Sequence, residues 1–209
     1  TNRSTPVLVS GGHTWASISA GGNFSCGVTT SGDAYCWGYN YWRQLGDGTR
    51  TNRSVPTAVS GGHTWASIST GRYHSCGVTA SGDGYCWGYG NYGRLGNGST
   101  AHRSVPTLVS GAHTWASIAA GNRYHTCGVT ASGDGYCWGR NRYGQVGDGA
   151  TTNRLIPTVI SGEHVWESIS TGGYHACGLT VGVGAYCWGR DNYGQLGNGL
   201  ALDSRMPIK

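Results

Sequence analysis

Eight cysteines recur as four pairs, and the two members of each pair are ten positions apart: Cys26 and Cys36, Cys76 and Cys86, Cys127 and Cys137, and Cys177 and Cys187. Cysteine pairs form disulfides or bind metals. A histidine precedes the first cysteine by two residues in three copies, but the first copy has Phe24 there, and zinc sites favour cysteines separated by two to four intervening residues. Disulfides are therefore favoured over free buried thiols and over a metal site, and we predict neither metal nor cofactor.

The segment between paired cysteines predicts a β-hairpin. In "CGVTTSGDAYC" the symmetry places Cys26 opposite Cys36, with Thr30 to Gly32 as a three-residue loop. Directly opposed residues have Cβ atoms roughly 4.5–5.5 Å apart, close to the roughly 3.5–4.5 Å of a disulfide. Such a loop needs a left-handed last residue, and Gly32, Gly82 and Gly133 supply it. The fourth copy has Val183 there, so we expect its turn to shift register or change type.

The hairpin belongs to a repeat of about fifty residues. Trp15, Trp65, Trp115 and Trp166 recur at this interval, as do five prolines from Pro6 to Pro207. We divide the chain into four units and the start of a fifth: 1–50, 51–100, 101–150, 151–200 and 201–209. Repeats of this length are typical of stacked modules.

Each unit predicts four short strands, "TPVLVS", "WASISAG", "FSCGVT" and "AYCWG", followed by a loop rich in Gly and Asn. No apolar period near 3.6 residues is sustained, so we predict an all-β fold. Charged residues make up only 11% of the chain, whereas Trp and Tyr are numerous, which is opposite to the composition of disordered proteins.

Charge and hydropathy restrict the partners. The formal charge of +5 comes from scattered arginines without a basic run, so we predict no nucleic acid partner. No stretch approaches the roughly 20 apolar residues that span a bilayer. The predicted disulfides indicate an oxidising compartment, and we expect an extracellular or cell-surface location.

The remaining polar motifs indicate little catalytic chemistry. Four sites match the N-glycosylation pattern: Asn2, Asn23, Asn52 and Asn97. The "LGDG" and "LGNG" loops resemble calcium ligands, but half are neutral, and turn-forming Asx chemistry is the better interpretation. The only glutamates, Glu163 and Glu167, have no evident partner, so we predict no catalytic residues.

One loop is unusually aromatic. Tyr39, Tyr41 and Trp42 predict an exposed patch, and we interpret Trp42 as replacing a glycine that is present at positions 93, 144 and 194. Because Trp and Tyr dominate binding hot spots, we assign these three residues to an interface, with ordinary packing as the alternative.

The pattern "YCWGYGNYGRLGNGS", with Ala/Ser-x-Gly before an aromatic–His pair, resembles the repeat of the regulator of chromosome condensation family along essentially the whole chain. The resemblance implies a β-propeller of four-stranded antiparallel blades. Members typically have seven repeats, and four are too few for that ring. The chain is then a fragment, a closed four-bladed ring or an open arc. We favour an open arc whose last segment, with Arg205 and Pro207, contacts the next molecule.

Three functions follow as expectations. The first is a non-catalytic extracellular scaffold that acts through protein–protein contacts, with itself head-to-tail in a filament or with another protein. The second is a ligand- or protein-binding propeller that serves as an inhibitor or recognition module. The third is a nucleotide-exchange factor, which the resemblance implies by analogy with the nuclear member of the family. The predicted disulfides disfavour it.

Overall fold

The computed structural model describes residues 3–182 and 184–209, and these residues form four antiparallel sheets of four strands each. We call each sheet a blade. Blade 1 contains β1 (Trp15–Ala20), β2 (Phe24–Thr29), β3 (Ala34–Gly38) and β4 (Arg53–Ala58); blade 2 contains β5 (Trp65–Thr70), β6 (His74–Thr79), β7 (Gly84–Gly88) and β8 (Arg103–Leu108). Blade 3 contains β9 (Trp115–Ala120), β10 (His125–Thr130), β11 (Gly135–Gly139) and β12 (Arg154–Val159); blade 4 contains β13 (Trp166–Thr171), β14 (His175–Thr180), β15 (Ala185–Gly189) and β16 (Ser204–Ile208). A single 3-10 turn occupies Asn91–Gly93.

The blades are out of phase with the sequence units. The proline-bearing segment that opens each of units 2 to 5 becomes the outermost strand of the preceding blade, as where Thr57 of β4 pairs with Cys36 of β3. The first unit has no preceding blade, and its segment "TPVLVS", which we predicted to be a strand, is not one. Pro56 lies where the register of this pair is irregular. An outer strand tolerates proline because the missing N–H faces no further strand. β16 is likewise the last strand of blade 4 and does not begin a fifth blade.

The hairpin has the predicted pairing. Cys26 lies opposite Cys36, the Thr29 amide donates to the Asp33 carbonyl at 2.9 Å, and Gly32 has a φ of +87°. In blade 4 the cysteine pairing is unchanged, so the register does not shift there. The turn differs, because Gly182 has a φ of +101°. Val183 lies outside the described residues.

The apolar core lies between blades. A blade has a trailing face, which carries its cysteine pair towards the next blade, and a leading face, which carries two tryptophans towards the preceding one. Cys26 and Cys36 thus pack in one cluster with Trp65 and Trp87. A single sheet has no interior and buries its side chains only against neighbours, so both tryptophans of a blade pack in the layer between blades.

Candidate functional site

Each cross-strand cysteine pair is a disulfide, as the repeat predicts: Cys26–Cys36, Cys76–Cys86, Cys127–Cys137 and Cys177–Cys187. Their Cα atoms are 4.0–4.1 Å apart, slightly closer than the roughly 4.5 Å of the closest antiparallel pairs. The first three bonds are fully buried in the layers between blades. The fourth is only half-buried, because no blade covers the trailing face of blade 4.

In each of blades 2 to 4, one tryptophan forms a hydrogen bond to a loop of the preceding blade. The Trp87 indole N–H donates to the Gln44 carbonyl at 2.9 Å, and Trp138 and Trp188 make the same bond to Arg94 and Gln145. A glycine with positive φ lies under each indole: Gly46, Gly96 and Gly147. A Cβ at these glycines would lie only 2.6–2.8 Å from the indole nitrogen, so a side chain there would clash with the next blade.

The two outer blades each present one uncovered face. Leu179 on the trailing face of blade 4 is 47% exposed, whereas its counterparts Val28, Val78 and Val129 are nearly fully buried. Ile18 on the leading face of blade 1 is 51% exposed, whereas Ile68, Ile118 and Ile169 are buried. Beneath the uncovered trailing face, a Cβ at Gly197 would meet no atom within 4 Å. The arc therefore ends in two apolar faces that are covered everywhere else along the chain.

The place of Trp42 in the repeat differs from our sequence interpretation. The Trp42 amide donates to the Gln44 side chain as Tyr143 does to Gln145, so Trp42 corresponds to a tyrosine. Arg43, with a φ of +66°, is the residue that replaces the glycine. Our sequence interpretation matched the glycine of the other repeats to Trp42, one residue too early. Arginine is unusual at a left-handed position, so Arg43 was not recognised as its counterpart.

Trp42 is half-buried and packs between blades. Its ring centroid lies 4.5 Å from that of Tyr89 and 4.8 Å from that of Tyr41. Tyr41 stacks in turn on Tyr39, and both tyrosines are exposed. The three residues predicted to form an aromatic patch are thus in contact, and Trp42 anchors the patch to blade 2.

The patch is one end of a longer row of alternating rings and guanidinium groups, which we call the arginine–aromatic belt. Arg140 lies 4.8 Å from the Tyr124 ring, Arg190 lies 4.9 Å from the Tyr143 ring, and the rings of Tyr124 and Tyr174 are 5.2 Å apart. The belt crosses all four blades and consists of Tyr39, Tyr41, Trp42, Arg50, Arg72, Tyr73, Tyr89, Tyr92, Arg94, Arg123, Tyr124, Arg140, Arg142, Tyr143, Tyr174 and Arg190.

Arg94 lies at the buried centre of the belt. Its guanidinium donates to the carbonyls of Asn91 and Arg123 and lies 4.6 Å from the Tyr89 ring. Burial lowers the pKa of Arg94 to about 10, against the opposing effect of the surrounding tyrosines. The group therefore stays charged at neutral pH, and its positive charge lies inside the protein without a carboxylate partner among the described residues.

Two histidines are buried beneath this end of the blades. The His74 Nε2 atom lies 2.8 Å from the Thr126 hydroxyl of blade 3, whereas neither ring nitrogen of His125 has a side-chain hydrogen-bond partner among the described residues. Burial lowers the pKa of His125 to about 3, and burial and then the nearby Arg94 charge lower that of His74. Both rings are therefore neutral structural groups at pH 7.

Models of the regulator of chromosome condensation (RCC1) repeat match residues 31–78, 81–129 and 132–179, and a second model of the same repeat matches 15–41, 65–94, 115–145 and 166–195. The chain belongs to the RCC1 repeat family. None of the curated protein sequences matches the chain significantly. The second set of matches begins at the first strand of each blade, in phase with the structure.

Several solved structures share the fold of this chain. Human WBSCR16 superposes with a TM-score of 0.86 at 23% identity, over 96% of this chain and 54% of that one. Prp20p from Saccharomyces cerevisiae gives 0.85 at 20% identity, over 97% and 51%. The ectodomain of the Physcomitrella patens receptor kinase CR4 gives 0.54 at 26% identity, over 84% and 39%. The RCC1 repeats of this chain span about half the length of the first two proteins.

Arg205 and Pro207, which we assigned to contacts with another molecule, lie in β16 and complete blade 4. The Arg205 carbonyl accepts a hydrogen bond at 3.0 Å from the Gly149 amide of blade 3. The backbone of this segment is therefore engaged within the chain, and the uncovered face of blade 4 is a better candidate for association than its last strand.

The structure separates the glycosylation candidates. Asn23 and Asn52 are exposed, Asn2 lies outside the described residues, and the Asn97 amide nitrogen is buried. A glycan is attached through that nitrogen, so in the folded chain Asn97 is less accessible to modification than Asn23 and Asn52.

The acidic loops are closed by their own hydrogen bonds. The Asp47 carboxylate accepts bonds from Thr49 and pairs with Arg53 at 2.7 Å. Burial acts to raise its pKa, but these bonds outweigh that effect and lower it. In the described part of the chain, no group of three or more His, Cys, Asp or Glu side chains is arranged to hold a metal, and no helix there is suited to crossing a membrane.

Sequence reasoning identified the aromatic end of the belt but missed its arginines. The signal was present, since the residue after each third strand is Tyr39, Tyr89, Arg140 or Arg190. It was hidden because the contacts that link the belt from blade to blade, such as Arg140 with Tyr92 and Arg190 with Tyr143, join residues about fifty positions apart.

Proposed function

We propose that this RCC1-repeat chain is a non-catalytic extracellular scaffold that acts through protein–protein contacts and assembles head-to-tail. The observation that carries the proposal is the pair of uncovered apolar faces at the two ends of the arc. Leu179 and Ile18 are each about half exposed, although every counterpart inside the arc is buried.

The three internal interfaces provide a template for the contact between two copies. Within the chain, a trailing face with its disulfide receives two tryptophans and an isoleucine from the next blade. Blade 4 presents that trailing face, and blade 1 presents Trp15, Ile18 and Trp37 on its leading face. A second copy could therefore add a fourth interface of the same kind, with the Trp37 indole donating to the Gln195 carbonyl.

The setting of the proposed scaffold rests on chemistry and on similarity. Four disulfides persist best in an oxidising compartment outside the cytosol. One structural neighbour is a receptor-kinase ectodomain, and the Prp20p structure was described together with binding to Gsp1p and histones. Both neighbours favour a role in recognition for the fold of this chain.

The proposal is tested by blocking one end at a time. Ile18→Asp should disable the leading face and Leu179→Asp the trailing face, so each variant alone should be monomeric in analytical ultracentrifugation. An equimolar mixture should form dimers and nothing larger, because each molecule retains one complementary face. The unmodified chain should form longer polymers that grow with concentration.

Leu108→Asp is the matched control, because Leu108 is similarly exposed, at 54%, but lies on an outer strand. It should assemble like the unmodified chain. A monomeric unmodified chain, or a mixture of the two end variants without dimers, would overturn head-to-tail assembly.

A second candidate function, a recognition module for another protein, is favoured by the arginine–aromatic belt. The belt does not depend on the end faces, and exposed Tyr and Arg side chains are the residues that most often dominate protein interfaces.

A further inference from the structure

Positive charge is concentrated at one of the two edges of the arc, where four carboxylates, Asp47, Asp148, Asp191 and Asp203, also lie. The loop after each first strand and the loop after each third strand meet at one edge, which we call the arginine rim. The hairpin turns and the loops after the outer strands meet at the opposite edge. Every arginine except Arg3 lies at the arginine rim: Arg43, Arg50, Arg53, Arg72, Arg94, Arg103, Arg123, Arg140, Arg142, Arg154, Arg190 and Arg205. The opposite edge holds Asp33, Asp83, Asp134, Glu163, Glu167 and Lys209.

Few of the charges at the arginine rim are neutralised by carboxylates. The ion pairs of the described residues are Arg53 with Asp47 and Arg154 with Asp148, and neither arginine is part of the belt. The belt arginines instead lie against tyrosine rings, at 4.5 Å for Arg50 and 4.9 Å for Arg190. Their positive charge is therefore available to a ligand.

Stacking on the tyrosine rings also orients the guanidinium groups for binding. A guanidinium group held against a ring has lost much of its rotational freedom but keeps its N–H edges, which match the two oxygens of a carboxylate. Arg72 and Arg142 are exposed, and Arg123, Arg140 and Arg190 are half-buried. These five arginines come from three consecutive blades, so they form an extended row of positive charge along the rim and not one compact cluster.

We propose that the arginine rim binds an acidic polypeptide segment, whose carboxylates are received by the belt arginines. This proposal rests on the proposed function as a contact scaffold and names the chemistry of its partner. Single-stranded nucleic acid is the weaker candidate, because it needs open aromatic faces on which bases stack, and guanidinium groups already cover these rings.

The test uses Ile18→Asp as the background, so that head-to-tail assembly does not contribute. A fluorescein-labelled oligo-glutamate peptide and an oligothymidine of equal length are titrated at low salt and followed by fluorescence anisotropy. The peptide should bind more tightly than the oligothymidine. Arg140→Gln with Arg190→Gln should weaken peptide binding about tenfold or more, since each removes a charge-assisted contact.

Two further variants separate binding from folding and from net charge. Arg3→Gln with Lys209→Gln removes the same charge from exposed positions outside the rim and should change affinity less than about twofold. Arg72→Gln with Arg142→Gln replaces exposed side chains that pack little, so it should weaken binding without lowering the unfolding temperature. Arg140→Lys with Arg190→Lys should recover only part of the affinity, because lysine lacks the planar fork.

Equal peptide affinity in the belt variants and the unmodified background would overturn the proposal. Tighter binding of the oligothymidine, lost in the same variants, would also overturn it in favour of nucleic acid. Neither outcome affects the assembly measured with the end-face variants, so the two proposals fail independently.

Discussion

At the scale of single residues, His125 shows how a repeat loses an interaction when one member changes. The equivalent His74 bonds to the hydroxyl of Thr126, which also donates to the Arg94 carbonyl at 2.8 Å. Blade 4 has Ala176 where blade 3 has Thr126, and His125 has no side-chain partner for either ring nitrogen among the described residues. An unsatisfied buried polar group costs about 1–3 kcal/mol.

Ala176→Thr should therefore stabilise the protein. The new hydroxyl would bond to His125 and to the Gln145 carbonyl, as Thr126 does one blade earlier, and the free energy of unfolding should rise by about 1 kcal/mol. Chemical denaturation with the disulfides intact measures the change. Ala176→Val has the same shape without the hydroxyl, and an equal gain in that variant would show that packing, and not the hydrogen bond, is responsible.

The buried histidines should also make stability depend on pH. The pKa of His125 is about 3 when folded and near 6.5 when unfolded, so the unfolded chain binds more protons between these values. The free energy of unfolding should fall as the pH is lowered from about 6.5. His125→Phe, which copies the natural Phe24, should reduce this slope by about 1.4 kcal/mol per pH unit. Denaturation at a series of pH values measures it, and an unchanged slope would contradict the burial of the neutral ring.

At the scale of elements, the hairpin follows from local sequence because its turn and its pairing involve residues within ten positions. The cysteine pairing and the position of Gly32 could therefore be predicted. The sheet to which β4 belongs could not, since a proline-bearing edge strand carries no local mark of its partner. The belt was also missed, because Arg94 meets Tyr124 only after two blades have packed.

The four disulfides have one chemistry but different surroundings. Cys26–Cys36 and its next two counterparts are sealed between blades, whereas Cys177–Cys187 lies half-buried on the uncovered face. Under limiting reductant at low protein concentration, the fourth bond should open first, because a thiolate can reach its sulfurs without separating two blades. Pulsed alkylation followed by mass spectrometry gives the order. Simultaneous loss of all four would mean that reduction requires global unfolding.

At the scale of the whole molecule, each internal interface needs a glycine where the next tryptophan approaches. Gly96 and Gly147 meet that requirement inside the arc, and Gly197 keeps the same positive φ although nothing lies within 4 Å of its would-be Cβ. Within the monomer, glycine at position 197 avoids the strain of a left-handed backbone, but it avoids no steric clash with another residue. Its value would lie in a contact with a following blade, which a second copy would supply under the proposed head-to-tail assembly.

Gly197→Ala should therefore impair assembly much more than folding. In the monomer it costs only the penalty of a left-handed alanine, about 1–2 kcal/mol, whereas in the assembly its methyl group would meet an indole as at Gly96. Gly199→Ala is the matched control: its φ of +75° is nearly the same, but the nearest atoms to a Cβ at its counterparts Gly48, Gly98 and Gly149 lie 3.9–4.0 Å away. Sedimentation velocity should show short species for Gly197→Ala and polymers for Gly199→Ala, with similar melting temperatures for both monomers. If both variants polymerise equally, the contact between copies does not repeat the contact between blades.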